Sequence, residues 1–262
     1  MAGEATALLC AAILALAAPR GQASTGEPQH FWETLWGALA ITLSFALLAW
    51  VARGVTMTGA LAGASVAFVF IRAAHDLRMF GVLLVVFAVT LAATRAGGAR
   101  KQRLRVRESD RGRSASQVMA NLGVAGLAMV IPNFGPGRLL ALAALAELAA
   151  DTTSSEIGTA FSSRTILITS WKPVKAGTDG GLSVAGTTAA VVGAALVSAC
   201  ARGLGLASTG ESAIIGGAAL VGMLVDSLLG ASLERRGYIG NNLVNLLGTA
   251  AAALLARAWL AA

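Results

Sequence analysis

A chain that alternates apolar runs of span length with short polar connections has few folds open to it. From Trp32 onward such runs occupy 33–52, 55–73, 78–96, 117–133, 137–150, 184–201, 211–231 and 241–261. A helix needs about 20 mostly apolar residues to cross the hydrocarbon of a bilayer. In lipid, every backbone N–H and C=O must find a partner within the segment, so runs of this length read as helices. Only 13% of the residues are charged, against roughly 25% in a soluble domain. The expected fold is all-α, a polytopic helical membrane protein with about 8–9 spans. Abundant Ala and Gly suit close helix–helix contact in lipid.

Residues 32–262 read as one helical membrane domain, with loops at 97–116, 151–183 and 232–240. The 137–150 run is short, with Glu147 inside it and Asp151 just after. It is expected to be a tilted or half-inserted helix whose polar end reaches a cavity. Residues 1–31 have two readings, a signal peptide or a short first helix. Small residues at Ala15, Ala17 and Ala18 favour the first, and the lack of a positive start favours the second.

Charge gives the orientation. Arg95, Arg100, Lys101, Arg103, Arg105, Arg107, Arg111 and Arg113 crowd the loop before the 117–133 span, opposed only by Glu108 and Asp110. The positive-inside rule places that loop in the cytoplasm. Alternate counting puts Arg53, the 151–183 loop and the 232–240 loop on the same side, with fourteen of the twenty Lys and Arg. The net charge of +7 therefore reads as topology and attraction to anionic lipid. Nucleic acid is not an expected partner, because no basic face is interleaved with aromatics. Cys10 and Cys200 lie in apolar runs without Cys-x-x-Cys spacing, so neither a disulfide nor a zinc framework is expected. His30 and His75 sit in connections without a second ligand.

The polar residues that remain are concentrated where spans meet the cytoplasmic side. Asp151, Asp179 and Asp226 lie near or within apolar segments, where ionisable groups are costly and usually functional. Gly177, Gly180 and Gly181 bracket Asp179, so the backbone there can turn its N–H groups toward an anion. For Asp226 the choice is between a salt bridge to Arg235 or Arg236 and a role as Mg²⁺ ligand or proton acceptor. Asn241, Asn245 and Thr249, spaced i, i+4, i+8, form one stripe on the last span, either interhelical glue or a cavity wall. Gln117 and Asn121 repeat the i, i+4 spacing after the basic loop, where Lys101, Arg111 or Arg113 can reach a phosphate. Arg164, Lys172 and Lys175 add cations to the central loop, in which Thr165–Thr169 reads as a short extended piece. Asp151 and Glu156 fall about 140° apart on a helix. A divalent cation held by one or two carboxylates and phosphate oxygens fits this inventory, and no Walker-A motif is present. Ala143-Ala144-Leu145 precedes Asp151-Thr152 as Ala218-Ala219-Leu220 precedes Asp226-Ser227. If that is a repeat, the two aspartates are related and can face one another.

Four ordered motifs carry a resemblance: Asp151-Thr152…Ser155-Glu156-Ile157-Gly158, Gly177-Thr178-Asp179-Gly180-Gly181…Ser183…Gly186-Thr187, Asp226-Ser227-Leu228-Leu229-Gly230-Ala231 and Asn241…Asn245…Gly248-Thr249. Over about residues 35 to 260 the chain resembles the integral-membrane family that includes human transmembrane protein 19 and plant phytyl-phosphate kinase. The resemblance implies a CTP-dependent kinase converting an isoprenoid monophosphate to its diphosphate. Chemistry then assigns roles. Asp151, Asp179 and Asp226 are the catalytic carboxylates and, with Glu156, the Mg²⁺ ligands. Gly177, Thr178, Gly180, Gly181, Ser183, Arg164, Lys172, Lys175, Asn241, Asn245, Gln117, Asn121 and Lys101 bind nucleotide or phosphate. Expected partners are the isoprenoid monophosphate, CTP or another nucleoside triphosphate, membrane lipid and, left open, a second copy of the chain as a homo-oligomer. The rival readings are a lipid-phosphate cytidylyltransferase and a transporter or flippase.

Overall fold

The computed structural model describes residues 30–104, 112–132 and 135–262. The 5–19 run, Cys10 and residues 105–111 of the basic loop lie outside the described residues. Nine α-helices succeed one another within them: α1 (Leu35–Val51), α2 (Met57–Ala74), α3 (Arg78–Arg95), α4 (Gly98–Leu104), α5 (Ala115–Val130), α6 (Gly137–Phe161), α7 (Val184–Gly203), α8 (Thr209–Leu229) and α9 (Asn241–Leu260). One π-helical turn, Gly230–Glu234, extends α8. Five of these helices, α2, α3, α7, α9 and α8 with its π turn, are long and apolar enough to cross a membrane on their own. Their outward faces carry exposed Val191, Val192, Leu196, Leu224 and Leu254, which is where lipid lies against the protein. The chain is thus a polytopic helical membrane protein.

The helix α6 is the axis. From Leu139 to Ala150 every residue is buried, as expected of a helix that is apolar all round, and α3, α5, α7, α8 and α9 all pack on it. Here the structure corrects the sequence expectation. The 137–150 run is not a short half-inserted helix but the first part of a 25-residue one that carries Asp151 and Glu156 with it. The expected 151–183 loop begins only at Ser162. Thr153, Ser154 and Ser155 are residue types that favour a helix cap or turn, but here the hydroxyls of two of them are satisfied along the helix: Thr153 Oγ1 lies 2.7 Å from Ala149 O and 2.9 Å from Ala189 O on α7, and Ser155 Oγ donates to Thr152 O. Hydroxyls bonded back to the preceding turn no longer compete with it.

Small residues let α7 lie close to α6. A Cβ added at Gly193 would stand 2.7 Å from Thr153 Oγ1 and 2.9 Å from Ala149 O, and one at Gly186 would stand 2.7 Å from Ser154 O. Without a hydrophobic drive between helices in lipid, this contact is itself the source of association.

Successive helices alternate direction, so the connections gather at two ends. At one end, Val55 bridges Arg113 and the 162–183 segment folds into a small antiparallel sheet. Its strands are β1 (Thr165–Leu167), β2 (Pro173–Val174) and β3 (Gly181–Leu182), in the order β2-β1-β3; β1 takes up the first three residues of the expected Thr165–Thr169 extended piece, and the rest is turn. The cations of this end cap helices. Arg95 donates to Ala52 O at the end of α1, Arg100 to Ala160 O and Ser162 O at the end of α6, and Lys101 to Ala93 O and Thr94 O at the end of α3. Cations belong at helix C-termini, where carbonyls are orphaned and the dipole is negative. Trp50, Trp171, Tyr238, Trp36 and Trp259 are exposed, and Trp and Tyr are the residue types enriched at membrane–water boundaries.

Candidate active site

At the basic end, α5, α6, α8 and α9 diverge around a polar cavity of about 270 Å³. The α6 helix supplies Asp151, Thr152, Ser155 and Glu156, and α8 supplies Asp226 and Ser227. Asp151-Thr152 and Asp226-Ser227 follow the same Ala-Ala-Leu spacing on two neighbouring helices, and the structure brings both pairs to one cavity. The carboxyl groups of Asp151 and Asp226 line the same cavity, near enough for the charge of each to act on the other. Asp226 Oδ2 is buried without a hydrogen-bond partner. Arg235 and Arg236 are exposed and do not line the cavity, so the salt-bridge reading of Asp226 is not what the fold builds.

Beneath this pair lies Glu147, one turn earlier on α6 and 1% exposed. Its Oε1 is also buried without a partner. A Cβ added at Gly248 would be 2.6 Å from Glu147 Oε1 and 3.3 Å from Asp226 Oδ2, so the two orphaned oxygens flank that glycine. The π turn closes the other side. It places Glu234 on the cavity wall, close enough for its charge to act on Asp226, and Asp179 acts on both. Extra residues in a single helical turn re-aim side chains, and such turns recur at functional sites.

Asp179 arrives on the tight segment between β2 and β3. Thr178 N donates to Lys175 O, and Gly181 N to Thr178 O, so two turns follow in succession. Gly177 has φ +83 and Gly180 φ +71, a backbone region that residues with a Cβ rarely occupy. Gly180 also rests on the end of α8: a Cβ there would be 2.4 Å from Ala231 Cβ and 2.5 Å from Ser227 O. Gly177, Thr178, Asp179, Gly180 and Gly181 all line the cavity.

The asparagine stripe proves to be both glue and wall. Asn245 Nδ2 donates to Asn121 Oδ1 at 3.0 Å, tying α9 to α5, and both residues line the cavity, as do Asn241 and Gln117. Thr249 does not; its buried hydroxyl donates to carbonyls of its own helix. Gln117 Oε1 accepts from Ser114 N in a capping box, and Ser183 Oγ accepts from Gly186 N as the cap of α7. Both residues line the cavity while fixing the helix ends that frame it.

Several expected site residues stand elsewhere. Arg164, Lys172 and Lys175 are exposed on the small sheet and do not line the cavity. Lys101 is 2% exposed, and its Nζ is held by Ala93 O, Thr94 O and, at 2.5 Å, Glu156 Oε2. It is therefore a structural cation, and Glu156 is its counter-ion at the rim rather than a partner of Asp151. Removing one member of a buried ion pair leaves an uncompensated charge, typically worth about 3–5 kcal/mol. Lys101→Met is expected to lower the unfolding free energy in detergent by about that amount. Lys101→Met with Glu156→Gln should recover most of it, as chemical denaturation of the two variants will show.

The cation that does reach the cavity is Arg113, whose Nη2 lies 3.5 Å from Thr152 Oγ1 and whose charge acts on Asp151. Its backbone is pinned by the bridge to Val55: Arg113 N donates to Gly54 O, and Arg113 O accepts from Thr56 N at 2.9 Å. The approach is so close that a Cβ at Gly59 would be 2.3 Å from Arg113 O.

Among the described residues, no three His, Cys, Asp or Glu side chains form a protein-only metal cage. Mg²⁺ does not need one, since it retains water and phosphate oxygens and takes one or two carboxylates. Facing Asp151 and Asp226, an orphaned Oδ2 and two further carboxylates nearby are a donor set that fits Mg²⁺ beside phosphate.

A helical membrane bundle with a carboxylate-lined polar cavity at one end defines the class. The chain belongs to the DUF92 family of integral membrane proteins, whose profile matches residues 40–253. An uncharacterized membrane protein of Synechocystis is 32% identical over 196 residues, covering 72% of this chain and 76% of that one. Protein PGR of Arabidopsis thaliana is 29% identical over 231 residues, covering 77% and 79%. Protein VTE6, chloroplastic, of the same plant is 27% identical over 190 residues, covering 67% and 57%. No solved structure matches the chain.

Proposed function

We propose that this protein is a membrane prenyl-phosphate kinase that transfers the terminal phosphoryl group of a nucleoside triphosphate, CTP in the first instance, to an isoprenoid monophosphate. The observation that carries the reading is the facing Asp151–Asp226 pair, with an unpartnered buried oxygen, at the head of a polar cavity. Two carboxylates so close and so shielded repel unless a proton or a cation lies between them. The four motifs of the prenyl-phosphate kinase resemblance all bear on this cavity, and the kinship with VTE6 is consistent with it.

Bound there, Mg²⁺ would neutralise charge on the transferring phosphates. Phosphoryl transfer asks mainly for positioning and charge neutralisation. An oxygen of the lipid monophosphate attacks the γ-phosphorus, the bond from that phosphorus to the β–γ bridging oxygen breaks, and the nucleoside diphosphate departs with the electron pair. The attacking oxygen is already anionic, so no strong general base is required. Asp151 and Asp226 would hold the cation, while Arg113 meets the negative charge that builds on the phosphates, and Asn121, Asn245 and Gln117 position phosphate oxygens. Within 177–181 the two turn bonds use the N–H groups of Thr178 and Gly181, and those of Gly177, Asp179 and Gly180 are offered to the nucleotide phosphates. The positive-inside bias supports a cavity on the cytoplasmic face.

The test is incubation of the purified protein with Mg²⁺, labelled CTP or ATP, and a panel of prenyl monophosphates. Formation of the prenyl diphosphate with release of nucleoside diphosphate supports the kinase. Release of pyrophosphate identifies a cytidylyltransferase instead, and lipid movement without nucleotide consumption identifies a transporter; either would overturn the proposal.

A further inference from the structure

A second cavity adjoins the polar one and is larger, about 560 Å³, within the range of small-molecule sites. It lies between α1, α2, α3, α5 and α6, with α4 at its basic end, and is partly open. Phe45, Leu83, Val86, Phe87 and Leu122 line it at depth, and Phe45 meets Phe87 edge-on at 5.4 Å. At the basic end the lining changes to Arg53, Arg95, Lys101 and Arg113. Along α3 the lining runs from Leu83 to Arg95, a depth of roughly 18 Å at 1.5 Å per residue. Arg113, Asn121 and Glu156 line both cavities, so a molecule in one is continuous with the other at those side chains.

We infer that this chamber holds the hydrocarbon chain of the lipid monophosphate, head upward, with its phosphate at Arg113. The inference rests on the proposed kinase reading. Three features select such an occupant over a second protein segment or a nucleotide. At depth the lining is mainly apolar, and the Thr90 hydroxyl there is turned to Val86 O of its own helix, so the chamber favours a chain over a base or a sugar. The cations stand only at the end facing the phosphate chemistry, which orients an amphiphile one way. Arg113 lies on the boundary itself, pinned by the Gly54–Thr56 bridge, so the head group is delivered to the Asp151–Asp226 pair without leaving the chamber. The depth of the chamber then sets the length of chain the enzyme accepts.

Gly63 gives a means of filling it. A Cβ added there would meet a single atom, Val118 Cγ1 at 3.9 Å, so a side chain projects into the chamber without moving the backbone. Full-length protein in nanodiscs, without nucleotide, is irradiated with geranylgeranyl monophosphate carrying a diazirine at the tail terminus. The label is expected on α2, α3 and α5 residues of the chamber and to be competed by unlabelled geranylgeranyl phosphate. Gly63→Phe should reduce labelling at least tenfold and Gly63→Ala should not. Labelling of the lipid-facing side chains Leu43 and Leu47 on α1 would overturn the assignment, as would equal chamber labelling in Gly63→Phe. The labelling map of the wild-type protein stands even if Gly63→Phe fails to fold. Chamber labelling in a protein that transfers no phosphoryl group would reject the kinase reading and keep the lipid site. Transfer with labelling elsewhere would do the reverse.

Discussion

Asp226→Asn and Asp151→Asn each lower phosphoryl transfer by at least about a hundredfold and leave the solubilised protein as stable as the wild type, or more stable. Both halves of this expectation come from the same geometry. The two carboxyls line one shielded cavity, where each feels the charge of the other and of Glu234, and Asp226 also that of Asp179. In the absence of a cation they oppose each other, and an amide in place of either removes the repulsion while keeping shape and hydrogen-bonding capacity. With the cation, the same exchange deletes a ligand. Thermal unfolding in chelator and in Mg²⁺ separates the two effects. A ligand at a hundred times its Kd stabilises the folded state by about 2.7 kcal/mol, so Mg²⁺ should raise the Tm of the wild type and shift Asp226→Asn much less. Full activity in both variants, or equal Mg²⁺ stabilisation of all three proteins, would reject the assignment of this pair.

Gly180→Ala is expected to cost nearly as much activity by a different route. The new methyl group would have to occupy space 2.4 Å from Ala231 Cβ at a residue with φ +71. Strain of this kind costs about 1–3 kcal/mol where the surroundings hold the backbone in place. The segment relieves it by lifting off α8, taking Asp179 and the backbone N–H groups at 177–181 away from the cavity. Steady-state kinetics should show KM for the nucleotide rising at least tenfold, with the KM for the lipid phosphate little changed. Gly237→Ala is the control: it too has a positive φ, +74, but nothing lies within 4 Å of an added Cβ. It should show the same local strain without the kinetic effect. Equal kinetic defects in the two variants would mean that strain, rather than docking on α8, explains the loss.

How much of this was legible in the chain follows the range of the interactions involved. Apolar runs and their alternation are local, and they predict the helices and the gathering of polar motifs at one end. Asp151, Asp179 and Asp226 could be singled out because a carboxylate in an apolar run is conspicuous alone. The end of α6 could not be read, since Thr152, Thr153, Ser154 and Ser155 look like a cap until α7 supplies Ala189 O to Thr153. The loop cations Arg164, Lys172 and Lys175 were expected at the site because they are near Asp179 in sequence. The small sheet turns them outward, and strand pairing is not a local property. Lys101 and Glu156 are fifty-five positions apart and nothing in either neighbourhood announces their pairing. Glu234 was missed, although Asp226, Gly230 and Glu234 have the same i, i+4, i+8 spacing that drew notice to Asn241, Asn245 and Thr249. Reading 232–240 as loop hid it.

The burial of α6 has a consequence for how such a chain enters a bilayer. Its Glu147 stands against Gly222 of α8 and Gly248 of α9, and Asp151 shares its cavity with Asp226 of α8; both helices follow α6 in the sequence. A lone helix with carboxylates near its centre meets a penalty of about 2.5–3.5 kcal/mol for each at the translocon. Synthesis therefore delivers the central post of the bundle before the walls that make it tolerable, and α6 must wait at the insertion machinery, or be held by a chaperone, until its later neighbours emerge.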